Sequence, residues 1–249
     1  MRLSWALPKN RLGHLKLYES YHVDLEEGVF LFSDNGDLAV DESRRIRVLT
    51  DAWRDTLRSN YILEQAEIFV DPGSYRLVPE SRDSGSRSIG TFRDSVDLRP
   101  FGTTNLGMCS AFLATDVVRG ENDSLVGIPN PIWVYKRSEI MYVYFEAYNL
   151  AKDSYGQTRY QVEYRIGRPE AGRLPIKLGK RALKWLGLQE ESWSVSVAAE
   201  YAGEKSDEPV YLGVDLEELK PGLQLLTLVL RDQMTSRMAL RETLFRIAE

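Results

Sequence analysis

The chain has 249 residues, 43% hydrophobic, 28% charged and 10% aromatic, a balance that describes a folding globular protein and excludes an intrinsically disordered one. Its net charge of −5, with both signs interspersed, supplies no broad basic field for phosphates and argues against nucleic acid as a partner. A single cysteine, Cys109, excludes an intramolecular disulfide and a cysteine-built zinc site.

The opening "MRLSWALPKNRLGH" carries positive charge, but its apolar run is interrupted and then closed by Pro8, which is too short for a signal-peptide core. Next, "HLKLYESYHV" predicts a strand with Leu15, Leu17, Glu19, Tyr21 and Val23 on one face by period two. "VFLFSDNGDLAV" predicts a hairpin around Asn35-Gly36, with φ > 0 expected at both central residues. The stretch "SRRIRVLTDAWRDTLR" interleaves Arg44, Arg45, Arg47, Arg54 and Arg58 with Asp51 and Asp55 and reads as a solvated face or hairpin, with helical period over "LTDAWRDTLRSN". "YILEQAEIFV", "SYRLVPES" and "SIGTFRDSVDL" add further strands before Pro100.

A second series runs through "SAFLATDVV", "IMYVYFEAYNL", "TRYQVEYRIG", "WSVSVAAEYAG", "PVYLGVDL", "LQLLTLVL" and "RETLFRI". "RGENDSLVGIPNPIW" reads as a loop because Gly120, Gly127, Pro129 and Pro131 punctuate it. In "LGKRALKWLGL", Leu178, Ala182, Leu183, Trp185 and Leu186 suit a short helix. No run approaches the roughly 18 apolar residues of a membrane span, and the longest, "LQLLTLVL", is strand-sized. The pattern predicts an all-β protein of two tandem β-sandwich domains, immunoglobulin-like or fibronectin-like. The first is expected over 1–104 and the second over 105–249, with an insertion near 168–192.

Two dipeptides support one module used twice. Pro72-Gly73 and Pro221-Gly222, and Arg82-Asp83 and Arg231-Asp232, share one separation of 149 positions (221 − 72, 231 − 82). Pro fixes φ and Gly supplies φ > 0, as a type II turn requires, so each Pro-Gly starts a strand and each Arg-Asp ends it. Upstream, "YESYHV" aligns with "FEAYNL", setting Glu19 over Glu146 and Tyr21 over Tyr148.

"LGMCSAFLATDV", "IPNPIWVYKRSEIMYVYFEAYNL" and "GQTRYQVEYRI" together resemble the β-rich region of bacterial proteins that carry a GWxTD domain, here without the Gly-Trp-x-Thr-Asp signature itself. The first half, with "VFLFSDNGDLAV" and "PGSYRLVPESRD", is similar to the module preceding that region. The resemblance implies a β-sandwich architecture and an extracytoplasmic or envelope setting, and it transfers no chemistry.

Motifs for catalysis are absent: there is no phosphate loop, G-x-G-x-x-G, H-E-x-x-H or G-x-S-x-G elbow. "DSGSRSIG" reads as a hairpin loop, and Asp34, Asn35, Asp37 and Asp41 of "DNGDLAVDE" do not keep the register of a calcium loop. Cys109, in an apolar stretch, reads as a small buried hydrophobe. His14 and His22, the only histidines, complete no metal or dyad spacing. Glu19 and Glu146 would be an acid and base only if one cleft held both; as copies they do one structural job twice. Tyr142, Tyr144, Tyr148, Tyr160 and Tyr164 are the candidate ligand platform, since sugar faces pack on aromatic rings.

The expectation is therefore a non-catalytic structural or protein-interaction module, with no cofactor and an unidentified protein partner. The alternative is a carbohydrate- or small-ligand-binding accessory module, to which Trp133, Trp185 and Trp193 also point.

Overall fold

Strict alternation of apolar and polar residues builds strands with one buried face, and it governs both halves of the chain. The computed structural model describes residues 1–17, 20–50, 61–98, 100, 102, 104–119, 125–169 and 193–248. They divide into unit 1, Met1–Pro100, and unit 2, Phe101–Glu249. Both are all-β sandwiches, as expected. Among the described residues the only helical turn is a 3-10 turn at Lys9–Arg11. The helix expected over Leu178–Leu188 lies outside the described residues. So does the helical reading of 49–60, apart from Leu49 and Thr50, which are strand.

Unit 1 contains β1 (Arg2–Pro8), β2 (Leu15–Leu17), β3 (Ser20–Ser33), β4 (Leu38–Thr50), β5 (Tyr61–Glu67), β6 (Gly73–Asp83), β7 (Ile89–Thr91) and β8 (Asp94–Leu98). β1 and β5 pair as a small antiparallel sheet. The remaining strands form a six-stranded sheet in which β3 lies between β4 and β6, while β7 and β8 follow one another along β6. Odd-numbered residues of β3 face inward, so Val29 and Leu31 pack with Ile68 and Leu77. Val23 and Leu25 pack with Ile62.

Unit 2 contains β9 (Gly107–Met108), β10 (Phe112–Arg119), β11 (Leu125–Pro129), β12 (Val134–Tyr135), β13 (Ile140–Tyr148), β14 (Thr158–Gly167), β15 (Trp193–Gly203), β16 (Glu208–Asp215), β17 (Gly222–Asp232) and β18 (Met238–Ile247). One sheet runs β11-β10-β13-β16 with β9 on β13, and the other runs β12-β18-β17-β14-β15. Chain order against sheet order gives the B-E and G-F-C-C′ pairing of immunoglobulin-type sandwiches. One continuous apolar cluster fills the space between the sheets, including Met141, Val143, Phe145, Val162, Leu212, Leu226, Leu228 and Phe245.

The Pro-Gly to Arg-Asp stretches become β6 and β17, which begin at the Gly and end at the Asp in both units. Both aspartates are buried, Asp83 at 2% exposure and Asp232 at 1%. Asp83 accepts from the amides of Gly13, Gly85 and Ser86 and from the Ser86 hydroxyl. Asp232 accepts from the amides of Ala151 and Met234 and from the Thr235 hydroxyl. The turn residues Arg87 and Ser236 share positive φ, 61° and 59°. A Cβ on Gly13 would lie 2.3 Å from Ser86 N, so the unit 1 corner closes only because glycine allows that approach.

Five readings change. "HLKLYESYHV" is not one strand: β2 folds back on β3, pairing Leu15 with His22, and Glu19 lies outside the described residues. β6 pairs Leu25 with Asp83 and β17 pairs Tyr160 with Asp232, so β3 corresponds to β14. "YESYHV" therefore does not match "FEAYNL" of β13. In the 33–37 hairpin only Gly36 has positive φ, with Gly36 N bonded to Ser33 O, and of the two Pro-Gly pairs only Gly222 does. The loop expected over 119–133 contains β11; in addition "RLSWALP", read above only for its short apolar run, is strand β1.

Asp83→Ala and Asp232→Ala should each destabilise their own unit by about 2–4 kcal/mol, read by urea unfolding, because buried amides lose their acceptor. Burial raises the Asp83 carboxyl, but the Ser86, Gly13 and Gly85 hydrogen bonds outweigh it and hold it below the usual aspartate range. The stabilisation is therefore complete above the ordinary aspartate pKa of about 3.9 and is lost as pH falls through the lower folded value. Urea midpoints of the wild type should fall more steeply in that acid range than those of Asp83→Ala.

Candidate functional site

β13 buries Met141, Val143, Phe145 and Ala147 and turns Tyr142, Tyr144, Glu146 and Tyr148 to the outer face of its sheet. Its neighbours extend this strip sideways. Phe112 of β10 and Tyr211 of β16 lie directly beside Tyr144 on either side. The Tyr144 and Tyr211 rings are 4.7 Å apart between centroids, tilted by 41°. Tyr142 sits between Ala114 and Gly213 in register. Gly127 of β11 has only 3.2 Å between a built Cβ and the Phe112 ring, so glycine lets that ring settle onto the sheet.

Glu146 is the polar centre of the strip. The Tyr144 hydroxyl donates to Glu146 Oε1 and the Tyr148 hydroxyl to Oε2. Both bonds run along one strand, so both rings lean toward position 146. Burial, the hydrogen bond to Glu146 and the Glu146 charge together push the Tyr148 phenol above the usual tyrosine range. Beneath the strip, the Glu146 amide donates to Cys109 Sγ at 3.1 Å. Burial, with the nearby Glu146 charge, pushes the Cys109 thiol up, so it remains a packed thiol rather than a thiolate.

Tyr160 and Tyr164 do not join this surface. They lie on β14 in the opposite sheet, where Tyr160 is 4% exposed and Tyr164 packs against the core. The Tyr160 ring stacks on Tyr201 at 5.4 Å. Sequence reasoning missed Phe112 and Tyr211; the alternation of "FLATDVV" and "PVYLGVD" carried that signal, but not the pairing that sets both beside Tyr144.

No family model matches the sequence, and no curated protein matches it. Among solved structures the chain is similar to the crystal structure of a DUF3823 family protein from Bacteroides ovatus ATCC 8483, with 8% identity over 99% of each chain and a TM-score of 0.30.

The remaining candidates have structural partners. Asn149, just after β13 with φ 60°, donates its side-chain amide to Asn105 O. Buried Asn130 bonds Leu113 O through its backbone amide and Val134 O through its side chain, tying the PNP turn to β10 and β12. Arg45 and Arg47 pair with Glu26 and Asp24 of β3, while Arg54 and Arg58 lie outside the described residues. Trp133 is 46% exposed with φ 51°. Trp185 and the Trp193 side chain lie outside the described residues. Among the described residues no group of three or more His, Cys, Asp or Glu is placed to hold a metal, and no helix is long and apolar enough to cross a membrane.

The Tyr148 ring carbon bearing the hydroxyl, followed by NMR, should titrate above an ordinary tyrosine, and Glu146→Gln should lower its midpoint. An unchanged midpoint in that variant would detach Tyr148 from Glu146.

Proposed function

We propose that the chain is a non-catalytic interaction module, one β-sandwich design used twice, that engages a protein partner through the outer aromatic face of unit 2. The observation that carries this reading is the gathering of Phe112, Tyr142, Tyr144, Tyr148 and Tyr211 around Glu146 on the side of the sheet away from the core. The core does not require aromatic residues there, and tyrosine is among the side chains enriched at recognition surfaces. Edge addition of a partner strand is less favoured at β4, because Glu42, Arg44, Arg45 and Arg47 place charge along that edge. The GWxTD-like motifs support a bacterial envelope setting, and the net charge of −5 favours a partner other than nucleic acid.

A second reading is favoured by the adjacent Tyr144 and Tyr211 rings beside a carboxylate: a carbohydrate could stack on the rings and donate hydroxyls to Glu146. Affinity capture from envelope extract and a glycan array separate the two. Tyr144→Ala with Tyr211→Ala should abolish whichever binding exists while leaving the unfolding midpoint within a few degrees of wild type. Tyr155→Ala, at an 88% exposed turn, should leave binding intact. Equal binding by the double variant and the wild type would remove the aromatic face as the contact.

A further inference from the structure

The two cores differ at one level. Among the described residues unit 2 has a single continuous apolar cluster, whereas unit 1 has two, one around Val29, Leu31, Ile68 and Leu77 and one around Val23, Leu25 and Ile62. Between them on β3 stands Glu27, its side chain 1% exposed. Glu27 Oε1 accepts from Trp5 Nε1 at 3.2 Å and from the Ser81 hydroxyl at 3.5 Å. Its Oε2 faces Arg44 Nη2 at 3.3 Å, and the same Nη2 meets Glu64 Oε2 at 2.8 Å. The Arg44 guanidinium also stands 5.7 Å over the Trp5 ring.

Register identifies what unit 2 has at these places. Counting from the buried aspartates, Glu27 and Ser81 correspond to Val162 and Leu230, and Arg44 beside Glu27 corresponds to Ala199 beside Val162. Counting from the buried residue ahead of Pro-Gly, Ile68 or Leu216, Glu64 corresponds to Leu212, and its partner Trp5 to Val143. A whole apolar layer of one sandwich is thus a polar layer in the other. It carries two carboxylates and one guanidinium.

One guanidinium balances one carboxylate, and a second carboxylate taken out of water beside the first is costly while ionised. Burial pushes Glu27 above the usual glutamate range despite Trp5 and Arg44. Burial and the Glu27 charge do the same to Glu64, against the pull of Arg44. Among the described residues the other strands lining the layer bring no compensating cation: β1 offers Trp5 and β6 offers Ser81. Of the flanking charges on the same faces, Glu42 of β4 is exposed and Asp83 of β6 is held by its own amides.

We propose that Glu27 and Glu64 share a proton against the single Arg44 guanidinium that meets them both, making this layer a pH-sensitive latch across β3, β4 and β5. With the proton in place, Arg44 faces a single negative charge and clamps β4 onto β5. Without it, two carboxylates oppose each other inside the sandwich. Because the folded carboxyls are raised, the singly protonated pair persists above the ordinary glutamate pKa of about 4.3, and the latch is lost as pH rises through the folded values.

Hydrogen exchange on the full chain tests this. Protection factors of the β3 and β5 amides, corrected for intrinsic exchange, should fall by up to about tenfold per pH unit where the pair deprotonates, the slope of one proton. Glu27→Gln and Glu64→Gln should each flatten that slope. A slope shared by wild type and both variants would overturn the proposal. If a variant fails to fold, carboxyl-carbon NMR of the wild type decides: coupled titration above the surface glutamates supports the latch, and two ordinary glutamate midpoints refute it.

Discussion

A carboxylate buried at the end of a strand must be met by donors, and in this protein that demand organises both sandwiches. Asp83 and Asp232 each take a backbone amide from the chain segment that precedes the central partner strand, Gly13 before β3 and Ala151 before β14. Each also takes an amide and a hydroxyl from its own hairpin turn. The corner therefore joins three pieces of chain at one point: the last turn, the strand before it, and the incoming connection. Strand register follows, since Leu25 opposite Asp83 and Tyr160 opposite Asp232 set which residues of β3 and β14 face inward. The core on one side and the aromatic strip on the other are consequences of that register.

Much of this architecture was legible because it is written in period two and in turn residues. β13 alternates without a break, and the recurring Pro-Gly and Arg-Asp pairs bracket β6 and β17 to the residue. What escaped were strands whose sequence lacks a clean alternation. "RLSWALP" starts with Arg and ends with Pro, yet pairs along its whole length with β5. β11 lies in a stretch rich in Gly and Pro, where edge position removes the need for a donor at Pro129. The fold of β2 back onto β3 was hidden because Leu15 to Val23 alternates as well across a hairpin as along one strand.

The site was half legible for a related reason. Alternation shows that Tyr142, Tyr144 and Tyr148 share a face and that Tyr160 and Tyr164 share one, but not whether a face looks into the sandwich or out of it. Tyr142 and its companions look out and Tyr160 looks in, a difference set by the opposite sheet and not by local sequence. Glu27 left a fainter mark. It occupies the inward parity between Leu25 and Val29, as Glu64 does between Ile62 and Ala66, and a glutamate at an inward position on each of two strands is a conflict between pattern and chemistry.

The divided core of unit 1 also bears on how that unit comes apart. Cooperative unfolding depends on apolar contacts that run without interruption from one end of a domain to the other, and unit 2 has such a path. Among the described residues of unit 1 the path is cut at Glu27, between the end that holds Val23, Leu25 and Ile62 and the end that holds Val29, Leu31, Ile68 and Leu77. Local opening of unit 1 should therefore start at one end and not across the whole unit at once.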